Sequence, residues 1–293
     1  MKNTNGKIYK TKKIIAKITL YLILSIMAAV FVFPFFAMFS KSLMTTTEYW
    51  SPKLHLWSDN AQWSNYTKVF EVAGNDEYGV SYMLIYLWNT LKIVVLATVG
   101  LLFSASICAY GFCKIKFPGR DLMFSIVLAT TMIPSAVMLI PLYSLYTRFG
   151  WIDTSYPMWA GMWFGGGAIN IFLVKQYMST LPKELNESAA IDGAGLFRQY
   201  FQVILPNCKP ILAVISIGAI LGPWNDVQTP LMYLESQSNY TLALGIAYMR
   251  TGADVEMPIL LAACTLMTIL PIVAFVFNQK FFVESVVTSG VKG

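Results

Sequence analysis

"LPKELNESAAIDGAGLFRQYFQVILP", Leu181 to Pro206, is polar, rich in small residues, interrupted by Asp192-Gly193 and closed by proline, yet the runs on either side of it are almost wholly apolar. Those flanking runs decide the fold class. The chain has 293 residues, 56% of them hydrophobic and 12% charged, with a mean hydropathy of +0.58. Soluble domains carry about 25% charged residues. A crossing of the hydrocarbon core needs roughly 20 mostly apolar residues. Six runs qualify: Ile18–Phe39, Trp88–Phe112, Leu122–Tyr146, Ser155–Val174, Pro210–Tyr233 and Met257–Asn278. Their lengths suit helices rather than the ~10-residue alternating strands of a membrane barrel. Only helices or closed barrels satisfy the backbone in lipid. The expectation is an all-α integral membrane protein of six transmembrane helices.

Working outward from the quoted stretch, the basic residues set the orientation, because Lys and Arg concentrate in cytoplasmic loops. With the N-terminus in the cytoplasm, the inner segments hold the lysines of "MKNTNGKIYKTKK" and Lys17, then Lys114, Lys116 and Arg120, then Lys175, Lys183, Arg198 and Lys209, then Lys280 and Lys292. The outer ones hold only Lys41, Lys53, Lys68, Lys92, Arg148 and Arg250. Both termini are therefore expected in the cytoplasm, and the net charge of +6 reflects topology rather than nucleic-acid binding. The first run is longer than a ~7–15-residue signal h-region and no small-x-small cleavage site comes after it, so it is read as a retained span. Residues 1–17 form a basic cytoplasmic segment, and residues 18–293 the membrane domain.

Cys108, Cys113, Cys208 and Cys264 sit in or at the inner ends of spans without metal spacing, as small buried hydrophobes. His55 is a lone histidine in the first outer loop, Ser40 to about Leu87, whose "WSPKLHLWSDNAQWSNYTKVFE" suits interfacial aromatics or a small cap for an outer partner. Asn65-Tyr66-Thr67 and Asn239-Tyr240-Thr241 match a glycosylation pattern that matters only on a eukaryotic secretory route. No phosphate-binding loop, zinc motif or nucleophile elbow is present in the sequence, so any ATP and Mg used must sit on a partner chain.

Three spans carry marked features. "IPSAVMLIP" places Pro134 and Pro141 in the third, where proline kinks a helix. "WFGGGAIN", Trp163 to Asn170, allows close helix approach at Gly165–Gly167. "GPWNDVQTP", Gly222 to Pro230, holds Asp226, an acidic residue within an apolar run; it either caps a frayed helix end or serves the solute path. Asn170, Trp224, Asn225 and Asp226 are the candidate path residues.

In the quoted loop itself, Thr180 suits an N-cap and Pro182 a first helical turn. Leu181, Leu185, Ser188 and Ala189 share one face. Asp192-Gly193 breaks the pattern, Asp192 can cap a second short helix through Phe197 and Phe201, and Leu205-Pro206 ends it. Such a helix–turn–helix on the cytoplasmic side exposes small and apolar groups where lipid cannot cover them, as a docking element does.

"ESAAIDGAG…VILP" resembles the EAA loop of binding-protein-dependent ABC import permeases. Glu187, Ala189, Asp192, Gly193, Ala194, Leu205 and Pro206 match, and Ser188 stands in for the first alanine. "IPLYSLYTRFGWIDTSYP" looks like the family's Leu-Gly-x-x-x-Thr connection, and "GPWND" is similar to its Trp-Asn-Asp/Glu element. "QKFFVESVVTSGVKG" resembles the ending of the maltose-type sugar permeases, with Ser285 and Ser289 where glycines are usual. The resemblance implies the type I importer permease fold in the bacterial cytoplasmic (inner) membrane. It implies a coupling loop (residues 178–208) seated on one of two ATPase subunits, with Glu187 pairing a basic group there and Gly193 making the turn. A tail (residues 280–293) reaches between the ATPases through Val287 to Gly293. A second homologous permease and an extracytoplasmic solute-binding protein complete the assembly, and a sugar or oligosaccharide is the solute. The alternatives left open are an ABC importer of another solute such as glycerol-phosphate, an ion-coupled carrier using Asp226, and an intramembrane enzyme using Glu187 and Asp192. The last pair, five residues apart, shares no helix face.

Overall fold

The computed structural model describes residues 4–53, 55–251 and 255–290. Regular structure among them is helical, apart from one antiparallel bridge between Asn75 and Ser81. The principal helices are α1 (Thr4–Ser42), α2 (Ser64–Val72), α3 (Tyr82–Lys114), α4 (Arg120–Ala129), α5 (Ser135–Arg148), α6 (Ala168–Thr180), α7 (Glu184–Ile191), α8 (Lys209–Asn225), α9 (Leu242–Met249) and α10 (Met257–Gly290). The end of the basic tail, including Lys292, and the first residues, including Lys2, lie outside the described residues.

The chain divides into two compact units, Met1–Val69 with Asp254–Leu266, and Phe70–Ala253 with Met267–Gly293. In the first, the chain folds back over the end of α1. Asn65, 3% exposed, gives both amide hydrogens to main-chain oxygens, those of Ser42 (2.9 Å) and Met44 (3.0 Å). That fixes the bend and leaves no free nitrogen at the first glycosylation pattern. Phe36 and Phe39 meet Trp57, and Phe39 meets Trp63, so aromatics of the first loop pack against the end of α1. Burial alone would push the Glu48 carboxyl up, but the Asp59 N–H (2.9 Å) and the Ser58 hydroxyl (2.8 Å) hold it below the usual value. His55 sits with Nδ1 4.0 Å from oxygens of Glu48 and Asp59, an ion pair only when the imidazole is protonated.

The second unit is organised around α3, which packs against α6, α8 and the stretch after α5. Small and polar residues on α3 permit this. The Ser104 hydroxyl donates to Met162 O (2.6 Å) and the Trp163 indole N–H to Leu96 O (3.1 Å). At its other end Asn89 donates to Ser238 O (2.8 Å), and the Thr90 hydroxyl accepts Leu242 N–H (2.7 Å). Tyr86, 1% exposed, accepts from Gln237 Nε2 (2.8 Å) and lies so close to Gly245 that a Cβ there would be 2.2 Å from its ring. Tyr86 cannot retreat between Tyr82 and Tyr240. Gly245→Ala should therefore cost about 2–3 kcal/mol, the scale of core overpacking. A thermal-melting assay of the purified complex checks it, and Gly218→Ala, with open space around it, serves as the matched control.

Three described helices are long and apolar enough to cross a membrane, Lys13–Ser42, Tyr82–Lys114 and Met257–Phe277. Two bent pairs raise the number to five if each is one span: Arg120–Met132 with Ser135–Arg148 at 98°, and Leu196–Asn207 with Lys209–Asn225 at 79°. The first bend falls at Pro134, which starts α5 in extended conformation, so this proline breaks the helix while Pro141 is carried inside it. The expected span Ser155–Val174 is not one helix. It is a short turn of helix (Tyr156–Trp159), a 3-10 turn (Ala160–Trp163) and then α6, separated by Gly165, Gly166 and Gly167 at φ of 99°, 62° and 86°. Hydropathy measures apolarity and is blind to positive φ, which only glycine adopts readily. The close approach expected there does occur at Gly166, where a Cβ would meet Leu101 O and Ala105 Cβ at 3.0 Å, but it is made by an irregular turn and not by a helix.

Candidate functional site

The loop after α6 begins differently from the sequence expectation. Thr180 is the last residue of α6, and its hydroxyl donates to Tyr177 O (2.8 Å), so it caps nothing downstream. Leu181 is extended (ψ 138°), as a residue before proline must tend to be. Helix α7 therefore starts at Glu184, with Lys183 O accepting the N–H groups of Asn186 and Glu187. Glu184 and Glu187 lie in its first turn, where carboxylates complement the helix dipole. Ala189 faces inward with Leu185 half-buried, while Ser188, Glu187 and Ala190 are exposed.

Gly193 ends α7. Its N–H donates to Ala190 O (3.1 Å), Ala194 N–H donates to Ala189 O (2.9 Å), and its φ is 76°. This is the Schellman arrangement, which needs a left-handed residue after the last helical turn. Asp192 closes α7 rather than capping a second helix; Gly195 precedes the next turn (Leu196–Gln199) without a side-chain cap. The chain then passes through a π-turn (Tyr200–Ile204) and Leu205–Asn207 and bends at Cys208. Pro206 lies inside that last turn, short of the true break at Cys208.

Side chains moor this loop to α3. The Tyr110 hydroxyl donates to Leu196 O (3.2 Å) and the Tyr200 and Ser106 hydroxyls pair in the interior (2.7 Å), while within the loop Gln199 Nε2 donates to Ala194 O (2.7 Å). Ile191, Phe197 and Phe201 are left facing out, Ile191 at 86% exposure. The apolar-and-small surface expected from the sequence is present on a loop fixed to the bundle.

A second feature is a cavity of about 550 Å³ in the second unit. Its walls come from α3 (Ile93, Ala97), the Pro157–Met162 stretch, the small residues Gly218, Ala219 and Gly222 of α8, and the turn Asp226–Pro230. Asn170 and Asp226 both line it. Asp226 comes directly after α8, and its Oδ1 accepts Thr229 N–H (3.0 Å), so it caps the short helix Gln228–Tyr233 while facing the cavity. Of the two readings of Asp226 left open by the sequence, the bond from Thr229 N–H is the capping one, and the place of the side chain on the cavity wall is what the solute-path one requires. Trp224 and Asn225 are off the cavity. The Trp224 indole, 1% exposed, donates to Met267 O (3.0 Å), and Asn225 donates to Leu221 O (2.9 Å) on an exposed face.

Sequence reasoning missed Thr229 and the glycine pair Gly218 and Gly222. The signal was available: glycines four apart stack on one helix face. It also missed Asp153, at φ 57°, which ties the turn after α5 to the segment before α9. Its Oδ1 accepts the N–H groups of Glu235 and Ser236 (both 2.9 Å), its Oδ2 the Ser236 hydroxyl, and its carbonyl accepts from Asn239 (2.7 Å). Burial would raise this carboxyl, but the Ser236 and Glu235 donors outweigh it and hold it at about 2. Asn239, the second glycosylation pattern, is thus occupied as well.

A helical membrane bundle with an internal cavity, and a rigid loop that turns its apolar side chains outward, has the build of a transport subunit that works against another protein. The chain belongs to the family of binding-protein-dependent transport system inner membrane components, whose sequence model matches residues 100–287. Members are membrane permease subunits of ABC importers. The chain is 30% identical to the arabinooligosaccharides transport system permease protein AraQ of Bacillus subtilis (strain 168), over 94% of this chain and 96% of that one. It is 30% identical to the maltose/maltodextrin transport system permease protein MalG of Escherichia coli (strain K12), over 72% and 73%. In fold it resembles the crystal structure of a bacterial ABC transporter involved in the import of the acidic polysaccharide alginate, with a TM-score of 0.77 and 21% identity over 92% of this chain and 98% of that one.

Proposed function

We propose that this chain is a permease subunit of an ATP-driven importer of saccharides. It would work with a second, homologous permease, two ATPase subunits that bind ATP and Mg, and an extracytoplasmic solute-binding protein. The observation that carries the reading is the Schellman turn at Gly193, which presents α7 with Glu187 and Ile191 exposed. Glu187 is the group to meet a cation of the ATPase. Ser188 and Ala194 keep the contact close, Ala189 seats α7 against the chain's own interior, and Asp192, Leu205 and Pro206 shape the exit toward Cys208. The mooring of Tyr110 and Tyr200 on α3 then carries movement of the loop into the helix that walls the cavity. The saccharide class rests on the relatives, which are named for arabinooligosaccharide and maltodextrin transport.

The orientation rests on the Lys and Arg distribution, with both termini in the cytoplasm and six crossings. The fourth crossing is the broken segment Tyr156–Thr180. Irregular backbone is tolerated at membrane depth where protein buries it, as α3 does at Gly166. Within its own unit none of the apolar window of Lys13–Ser42 is buried, which suits a lipid-facing crossing.

The test is uptake by proteoliposomes of the full complex with its binding protein, offered arabino- and malto-oligosaccharides. Uptake should require ATP on the ATPase side and survive collapse of ion gradients. Uptake that tracks an ion gradient and ignores ATP would return Asp226 to the role of a carrier carboxylate.

A further inference from the structure

We infer that the cavity selects neutral saccharides and excludes anionic ones, and that Asp226 is the residue that does so; this rests on the chain being a saccharide permease. Asp226 is the one charged group among the described residues that line the cavity, and no Lys, Arg or His faces it there. Among the described residues the carboxylate has no ion-pair partner. One oxygen, Oδ1, is held by Thr229 N–H, which fixes the carboxylate at the cavity wall. Asn170 is anchored as well, its amide nitrogen donating to Gly166 O (2.7 Å). The polar groups offered are the Asp226 carboxylate, which only accepts, and the Asn170 amide and the Thr229 and Thr241 hydroxyls, which both give and accept, a set matched to the hydroxyls of a sugar. The rest of the wall, Met158, Met162, Pro157 and the small face of α8, is a surface for the C–H faces of the rings. The volume lies within the ~300–1,000 Å³ of small-molecule sites.

The consequence for specificity is electrostatic. A fixed negative charge with low-dielectric walls repels a phosphate or a uronate and leaves a neutral ring unaffected. Sugar phosphates, glycerol-phosphate and acidic glycans are therefore refused by this chain even where the binding protein would deliver them.

The experiment uses a thiol as a probe of the local field and needs no knowledge of the solute. Gly222 lies one turn before Asp226, lines the cavity and has open space around its Cβ position, so Gly222→Cys fits. The purified complex in detergent, with both membrane faces accessible, is treated with a trimethylammonium-ethyl and with a sulfonato-ethyl methanethiosulfonate. Labelling at residue 222 is read above that of the parent chain, and the ratio of the two rates is compared with that of free 2-mercaptoethanol. The cationic reagent should be favoured about tenfold beyond the free thiol, the effect of one nearby charge at water-like screening. Asp226→Asn in the same background should bring the ratio within about twofold of the free thiol, and Asp226→Glu should keep it. A Gly222→Cys ratio equal to that of the free thiol, or one that Asp226→Asn does not change, overturns the inference. The Gly222→Cys ratio is informative even if the Asp226 variants fail to assemble. Loss of the charge effect with saccharide uptake intact sinks only this inference. A clear charge effect with no saccharide uptake sinks the transport reading instead.

Discussion

Gly193→Pro is expected to abolish ATP-driven uptake while the chain still reaches the membrane. The native φ at this residue is 76°, and proline is locked near −65°. Proline also removes the N–H that bonds Ala190 O. The Schellman turn cannot form, and α7 either runs on or frays, so the face bearing Glu187 is no longer presented. Gly193→Ala separates conformation from bulk. No atom lies within 4 Å of a Cβ there, so alanine costs only the left-handed backbone, roughly 1–2 kcal/mol. Uptake should fall severalfold with alanine and at least a hundredfold with proline. Glu187→Ala probes the contact rather than the turn. The side chain is exposed, so the chain's own stability should move by less than about 0.5 kcal/mol, while uptake falls at least tenfold and the ATPase co-purifies less well. Assembly is read by co-purification and transport by ATP-dependent uptake in proteoliposomes. Wild-type uptake in both Glu187→Ala and Gly193→Pro would mean that force does not enter through this turn.

Much of this loop was legible because its determinants are local. Gly193 after an apolar-periodic stretch, and proline at 182 and 206, are signals that act within a few residues. Even so, the boundaries slipped. Thr180 and Asp192 are both good capping residues, and the choice between capping forward and closing the preceding helix is made by Leu181, which Pro182 forces extended, and by the Schellman bonds of Gly193 and Ala194. The apolar runs gave the long helices α1, α3 and α10 and the proline break in the third run, but not the interruption at Gly165–Gly167. A triple glycine reads equally as helix packing or as a turn, and the turn wins because Gly166 must fit against Leu101 and Ala105, some sixty residues earlier in the chain. Asp226 stood out as an acid in an apolar run, whereas Trp224 and Asn225 carried the same motif and turned to packing and to an exposed helix face. Which side of a bent helix faces a cavity depends on its neighbours. Asp153 was invisible for the same reason, since the partners of its carboxylate begin 82 residues away.

Asp153 gives the sharpest test of those long-range bonds, because three substitutions there should rank in an order that only its geometry explains. Its carboxylate accepts from two main-chain N–H groups and one hydroxyl, and the residue itself is left-handed. Asn tolerates that backbone and keeps an acceptor for the N–H groups, so Asp153→Asn should cost about 1 kcal/mol. Gly relaxes the backbone but leaves the N–H groups of Glu235 and Ser236 without their acceptor, for about 2 kcal/mol. Ala loses the acceptor and adds left-handed strain, for about 3 kcal/mol or more. Melting temperatures of the purified complex should therefore fall in the order Asn, Gly, Ala. The same bonds have a pH signature. The folded-state value of about 2 lies below the ordinary 3.8, so the unfolded chain takes up the proton first on acidification. The stabilisation is complete above about pH 4 and is lost as pH falls toward about 2; after solvent screening it amounts to about 1–2 kcal/mol at neutral pH. The gap between wild type and Asp153→Asn should stay constant from pH 8 to pH 5 and narrow below pH 4. A gap that closes between pH 8 and pH 6, or an Ala variant as stable as Asn, would show that the carboxylate does not clasp the two segments. Those segments lead into the Pro157–Met162 and Asp226–Pro230 walls of the cavity, so a loosened clasp should also lower uptake at temperatures below the melting transition.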